Sequence, residues 1–384
     1  MKILIATPIF PPEIGGPATY TKEIAERLKG QHQITVIAFA ENPVTIKDVD
    51  LVTVNKGLPL PLRQVLFFKK IITLGKKADL IYVQNAMAAG VPSVMAAKLL
   101  HKPVILKFVG DGAWEKAFGK GETKKFLDDF LKNPDAGFKS KLRIWIQKKV
   151  LSNADRVIVP SEYLKNVLLT YYHLRENKVI TIYNAADSEQ EGSIPRTLEL
   201  HNHQVLAVSR LVSWKGIDKV IEAIKILGKD YPDIKLVVAG DGPEMSNLKK
   251  LASDLLIAER VKFLGNVSRK ETANLRRQSE VFVLNSVYEG LPHSVLSSFS
   301  AGIPVIATNI PGTNEAVYDG KTGLSIPPND PQALVKAIKR IFEDKKLVAF
   351  FVANAKVLLR EKFSWEAHID KLLDAFRSLL IPRN

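Results

Sequence analysis

Short runs of apolar and β-branched residues recur along the chain, separated by longer stretches with apolar residues at helical spacing. In the first half the runs cover 2–7, 34–39, 79–83, 103–109, 156–159 and 179–182. In the second they cover 204–209, 235–239, 261–264, 281–284 and 304–307. These runs are nearly continuous in apolar residues rather than alternating. That pattern predicts parallel strands buried on both faces beneath covering helices. Between the halves the rhythm lapses: 188–203 is mostly polar, with Gly192, Pro195 and the acids Glu189, Glu191 and Glu199, and reads as a linker. The expected organisation is an α/β chain with two doubly wound domains, 1–187 and 204–360, joined by 188–203. In 361–384, Trp365, Ile369, Leu372, Leu373, Phe376 and Leu380 fall at the spacing of a last amphipathic helix, which could cross back to the first domain.

Composition narrows the chemistry. The 384 residues suit two or three domains, and 46% hydrophobic with 25% charged residues is ordinary for a folded chain. With no cysteine there can be no disulfide framework, thiolate zinc site, iron–sulfur cluster or cysteine nucleophile. The longest apolar window, 86–97, contains Gly90, Pro92 and Ser93 and falls short of the roughly 20 residues of a membrane span. The apolar start, 3–6, is shorter than the core of a secretory leader, so a cytoplasmic protein is expected. The net charge is +15, and residues 1–190 hold +10 of it. That excess points to anionic partners.

Several loops could hold such a partner. The first strand runs into Gly15-Gly16-Pro17 ahead of a helix, where glycines let backbone amides approach an anion; a merely permissive turn is the other reading. After the run at 204–209 come Arg210 and Lys215, two cations flanking a strand-to-helix turn that could hold a phosphate, two merely solvated cations being the other reading. Gly240-Asp241-Gly242-Pro243 lacks the third glycine of a dinucleotide fingerprint, since Met245 stands there, and reads as a tight turn. After 281–284 the chain reads Tyr288-Glu289-Gly290-Leu291-Pro292. An acid at the carboxyl rim of a parallel sheet, beside the amides of Gly290 and Leu291, suits a hydroxylated group next to a phosphate, as in a sugar phosphate. An acid that only complements a helix dipole is the alternative.

Taken together, 11–16, ADRVIVPS at 154–161, AVSRLVSWKG at 207–216, VAGDGP at 238–243, VKFLGNV at 261–267, VFVLNSVYEGLPHSVLSSFSAGIPVIAT at 281–308, and 311–327 with Glu315 and the GLSIP ending resemble the family 4 glycosyltransferases, over nearly the whole length. The resemblance implies a GT-B fold, two Rossmann-like domains facing a cleft. It implies a retaining transferase that moves a hexose-type sugar from a nucleotide-diphosphate donor. It assigns Arg210 and Lys215 to the diphosphate and Glu289 to the sugar hydroxyls, with the amides of Gly290 and Leu291 nearby. Gly15 and Gly16 would close over the phosphates, and Asn266 and Val267 would lie near the base. Asp111, between glycines after the run at 103–109, is the candidate to orient or deprotonate the acceptor, a turn aspartate being the other reading; Trp114 and Glu115 would shape the acceptor pocket or cap the next helix. No cofactor or metal is required, and Asp48-Val49-Asp50 reads as chance loop chemistry.

Two positions depart from the family pattern. Ser297 stands where a second acid usually holds the ribose, eight residues after Glu289, and 184–187 replaces an asparagine–glycine turn. A lost charged hydrogen bond costs about 1.5–3 kcal/mol, or roughly 10- to 150-fold in donor affinity. On the acceptor side, a saccharide or lipid-linked acceptor in cell-envelope glycan synthesis is expected, with no nucleic acid. FKSKLRIWIQKKVL at 138–151 is a basic helix with a tryptophan. It could lie on the inner face of an anionic membrane, although an apolar face turned into the core is favoured; Phe67 and Phe68 beside Lys69 and Lys70 pose the same question. His201, His203 and His293 look incidental. A non-catalytic sugar-binding or scaffold protein of the same fold, and a nucleotide-sugar epimerase, are the alternatives.

Overall fold

The computed structural model describes residues 1–13, 15–186 and 202–380. It divides the chain into two units, Met1–Ile182 with the helical residues from Ile369 on, and Tyr183–His368. Of the expected linker, 188–203, all but the last two residues lie outside the described residues, as does His201.

The first unit is a seven-stranded parallel sheet of β1 (Lys2–Thr7), β2 (Gln33–Phe39), β3 (Asp50–Val54), β4 (Leu80–Gln84), β5 (Val104–Lys107), β6 (Arg156–Val159) and β7 (Val179–Thr181). Its spatial order is β3-β2-β1-β4-β5-β6-β7. Ile3 lies opposite Ile34 on one side and Leu80 on the other. The helices are α1 (Gly16–Leu28), α2 (Leu60–Gly75), α3 (Gly90–Leu100), α4 (Gly112–Gly119), α5 (Leu127–Lys132), α6 (Phe138–Asn153) and α7 (Glu162–Thr170). Pro17 sits in the first turn of α1, where its missing N–H costs nothing. The helix then buries Ala18, Thr21, Ile24, Ala25 and Leu28, one face at three- and four-residue steps.

The second unit is a six-stranded parallel sheet of β8 (Gln204–Val208), β9 (Lys235–Ala239), β10 (Val261–Gly265), β11 (Val281–Leu284), β12 (Val305–Thr308) and β13 (Leu324–Ile326), in the order β10-β9-β8-β11-β12-β13. Around it lie α8 (Ile217–Leu227), α9 (Met245–Asp254), α10 (Arg269–Gln278), α11 (His293–Ser300), α12 (Pro311–Asn314), α13 (Pro331–Glu343) and α14 (Lys345–Lys362), and α15 (Trp365–Leu380) follows. The continuous apolar runs have a direct cause here. Val205, Leu236, Val238, Val281 and Val283 face one core, while Leu206, Val237, Phe282 and Leu284 face another on the opposite side of the sheet. Asp330 caps α13 by accepting from the Ala333 amide at 2.9 Å, and Asp344 caps α14 by accepting from Leu347 at 2.8 Å.

Two edge strands, β3 and β13, escape the sequence pattern. Both are short and mix polar with apolar residues. The expected strand at 103–109 ends at Lys107, leaving Val109 exposed. Asp48 and Asp50 lie at the amino end of β3, away from the carboxyl ends where ligands bind in such sheets. Among the described residues, no helix is long and apolar enough to cross a membrane.

Candidate functional site

In the second sheet the strand order reverses between β8 and β11, and the turns that leave these strands are locked together. Gly216 closes the β8 turn at a φ of 61°. A Cβ there would fall 2.3 Å from the Asn285 carbonyl oxygen, so only glycine allows the approach. The Asn285 side-chain amide donates to the Gly216 carbonyl at 3.0 Å, and the Val287 amide donates to the Trp214 carbonyl at 2.9 Å. This stitching delivers Lys215 to Glu289, with the ammonium 2.6 Å from Oε1. Ser286 Oγ donates to the same carboxylate oxygen at 2.7 Å. The two charged side chains are only 18% and 11% exposed.

The turn after β12 clamps the other side. A Cβ on Gly312, in α12, would lie 2.0 Å from the Glu289 carbonyl oxygen. Thr308 Oγ1 donates to the Ser286 carbonyl. Gly290 and Leu291 are buried, the Leu291 side chain packing into the core, and among the described residues neither amide has an internal acceptor. Three more buried polar atoms around this rim lack partners: Ser209 Oγ, Asn285 Oδ1 and Thr313 Oγ1. Orphaned groups are rare in cores, and a bound ligand, a water or local strain accounts for those that occur. Arg210 completes the rim. Its backbone is fixed by the Leu211 amide donating to Asp241 and the Glu244 amide donating to Leu211, while its side chain is exposed. The arrangement joins a neutralised acid, a second cation and free amides, which suits an anionic group beside a hydroxylated one.

The other expected site residues are placed as follows. Asn266 and Val267 follow β10, two strands from β8, and touch neither Lys215 nor Glu289 among the described contacts. Ser297 is half-buried in α11. Gly15 precedes α1 in an extended conformation, and the Cβ position of Gly16 faces open space. The tight turn at 240–243 is observed, with Gly240 at a φ of 133°. His203 Nδ1 lies 2.8 Å from Asp233 and its ring packs on Tyr231 and Phe342.

The structure places Asp111 inside the first unit. It is fully buried at the N-terminus of α4, where Oδ1 accepts from the amides of Ala113 (3.1 Å) and Trp114 (2.9 Å) and Oδ2 accepts from the Tyr172 hydroxyl. Burial pushes its carboxyl above the usual range despite these donors. With both oxygens engaged inside the unit, it anchors its loop. Trp114 is wholly buried, and its indole N–H donates to the Lys125 carbonyl at 3.0 Å. Ser286, Asn285 and Gly312 were not legible as site residues. A serine and an asparagine ending an apolar strand were the available signal, and the Gly312 contact depends on a turn 23 residues away in sequence. Among the described residues, no three His, Asp or Glu side chains gather as a metal site.

Two family profiles match the chain. "Glycosyltransferase Family 4" covers residues 14–190 and "Glycosyl transferases group 1" covers residues 194–358. An uncharacterized glycosyltransferase of Methanocaldococcus jannaschii is 25% identical over 99% of both chains. The lipopolysaccharide core biosynthesis glycosyltransferase LpsE of Rhizobium meliloti is 33% identical over 45% of this chain and 49% of its own. Among solved structures, Anabaena HepE in complex with UDP-glucose superimposes with a TM-score of 0.79 at 21% identity, over 98% of this chain and 100% of that one.

Proposed function

The chain belongs to the family 4 glycosyltransferases, with the GT-B fold, and from that premise we propose that it moves a hexose-type sugar from a nucleotide-diphosphate donor, with retention of anomeric configuration, to a saccharide or lipid-linked acceptor in cell-envelope glycan synthesis. The observation that carries the reading is the Lys215–Glu289 pair set between the exposed Arg210 and the unpartnered amides of Gly290 and Leu291. In the transfer, the bond from sugar C1 to the β-phosphate oxygen breaks as a bond from C1 to the acceptor oxygen forms. The acceptor proton leaves to the departing phosphate or to water. Negative charge grows on the nucleoside diphosphate, and Arg210 with Lys215 is placed to take it up without a metal. Glu289 accepts from hydroxyls of the moving sugar. Asn266 and Val267 are assigned to the base and Ser297 to the ribose. The relative bound to UDP-glucose supports a nucleotide-sugar donor, and the lipopolysaccharide relative supports an envelope glycan.

Calorimetric titration with UDP, GDP and ADP in metal-free buffer, repeated on Arg210→Ala, tests this. One nucleotide should bind, and the variant should bind it about 10- to 150-fold more weakly, the range for a lost charged hydrogen bond. Absence of binding by all three at millimolar concentration would sink the reading.

A further inference from the structure

The sequence pattern favoured α6 as a helix with its apolar side in the core. The structure shows the reverse along one stripe. Phe138 is 80% exposed and Trp145 56%, with Leu142 exposed between them. Positions 138, 142 and 145 follow the four- and three-residue steps of a single helix face. The residues α6 buries are Ser140, Gln147, Val150 and Leu151. The stripe is not isolated. Helix α3 packs on α6, and α2 packs on α3. Helix α3 exposes Met95 and Leu99, one turn apart, and α2 exposes Val65.

The charge on these three neighbouring helices is one-sided. They carry nine Lys or Arg, three in α2, one in α3 and five in α6, and no Asp or Glu. Lys139, Lys141 and Lys149 are exposed among the aromatics of α6, and Lys69 and Lys70 are exposed on α2. The Lys149 ammonium lies 5.7 Å from the centre of the Trp145 ring. Two acids meet α6 from its buried side: Glu122 accepts from Ser140 and Asp111 is hydrogen-bonded to Gln147.

We propose that the α2–α3–α6 face docks on an anionic lipid bilayer, with Phe138, Leu142 and Trp145 entering the acyl boundary and the lysines resting on headgroup phosphates. Charge complementarity selects the occupant. A second copy would bring like charges together across the interface. Nucleic acid would satisfy the cations but leaves exposed Leu and Met side chains with nothing apolar to bury against. An anionic leaflet satisfies both. The lipid-linked acceptor would then be met at the same leaflet; that link rests on the proposed function, whereas vesicle binding does not.

The test is sedimentation of the full chain with vesicles of phosphatidylcholine alone and of phosphatidylcholine with 30% phosphatidylglycerol. Binding to the anionic vesicles should be at least tenfold tighter and weaken with salt. Vesicles with brominated acyl chains should quench tryptophan emission, since Trp145 is the exposed one, while Trp114 and Trp214 are buried and Trp365, half-buried, lies outside this face. A Phe138→Ser/Leu142→Ser/Trp145→Ser variant should lose at least tenfold in binding and lose the quenching, with its thermal midpoint and nucleotide titration unchanged. Each of these results overturns the proposal: no partition onto anionic vesicles, equal binding by the triple variant, binding without quenching, or a dimer in sedimentation that the triple variant abolishes. Tighter retention on single-stranded RNA than on vesicles would also overturn it. The nucleotide titration is read separately, so loss of vesicle binding and loss of donor binding are distinguishable.

Discussion

Asp111 carries two readings, a helix cap and a group that acts on the acceptor, and substitutions separate them. If it caps α4, Asp111→Asn keeps an acceptor for the Ala113 and Trp114 amides, and transfer should stay within about tenfold of the parent, since the cap and not the charge is needed. Asp111→Ala loses the cap and leaves the Tyr172 hydroxyl without an acceptor, a combined cost of about 2–4 kcal/mol visible as a lower urea midpoint. A residue acting as the base would instead lose about 10²–10⁴ in turnover with asparagine alone. Lys107 makes a different prediction. It is fully buried in β5, its ammonium has no hydrogen-bond partner among the described residues, and it lies 3.4 Å from the centre of the Tyr20 ring. The ring favours the charged form by about 2 kcal/mol at most, less than the several kcal/mol of ion burial. Burial therefore prevails and holds the amine well below its ordinary range. The unfolded chain binds this proton more readily, so the parent gains stability as pH rises from the folded-state value toward that of a free lysine. Lys107→Met should be more stable by about 1–3 kcal/mol at pH 7, with the gain shrinking toward pH 10 in urea titrations.

Elements fix the site as much as residues do. Gly216 holds Lys215 only because its φ of 61° and missing side chain let β8's turn press on Asn285. Gly216→Ala should destabilise the protein by more than about 2 kcal/mol and weaken nucleotide binding together, read by melting and by titration; unchanged stability would show that the turn has slack. The same elements explain what was legible in the sequence. Strands such as β8 and β11 were, because both faces are buried and, after Gln204, every residue is apolar. Arg210, Lys215 and Glu289 were legible as rim residues because they follow such strands directly. Edge strands β3 and β13 were not, since one or two polar residues in so short a run erase the pattern. Helix α6 was misread for a related reason. Periodicity marks an apolar face but not which way it turns, and here Ser140 and Gln147 face inward: Ser140 is held by Glu122 and Gln147 by Tyr172 at 2.5 Å. Hydrogen bonds across 18 and 25 residues decide that orientation, and a local pattern does not contain them.

At the scale of the molecule, each unit has its own sheet and core, while Arg210, Lys215 and Glu289 all belong to Tyr183–His368. A ligand that binds only the folded form stabilises it by RT ln(1 + [L]/Kd), about 2.7 kcal/mol at one hundred times Kd. For a unit of this size each kcal/mol is worth about 2–4 °C, so the nucleoside diphosphate should raise the melting of the second unit by about 5–10 °C. Scanning calorimetry with and without the nucleotide checks this. If the units unfold separately, only one transition should move, and Lys215→Ala should abolish the shift, since it removes a diphosphate cation and strips Glu289 of its counter-charge. If they unfold as one body, the single transition should still move in the parent and stay fixed in Lys215→Ala. A shift that survives Lys215→Ala places the phosphates elsewhere, and the pair at the β8–β11 reversal would then be a structural ion pair only.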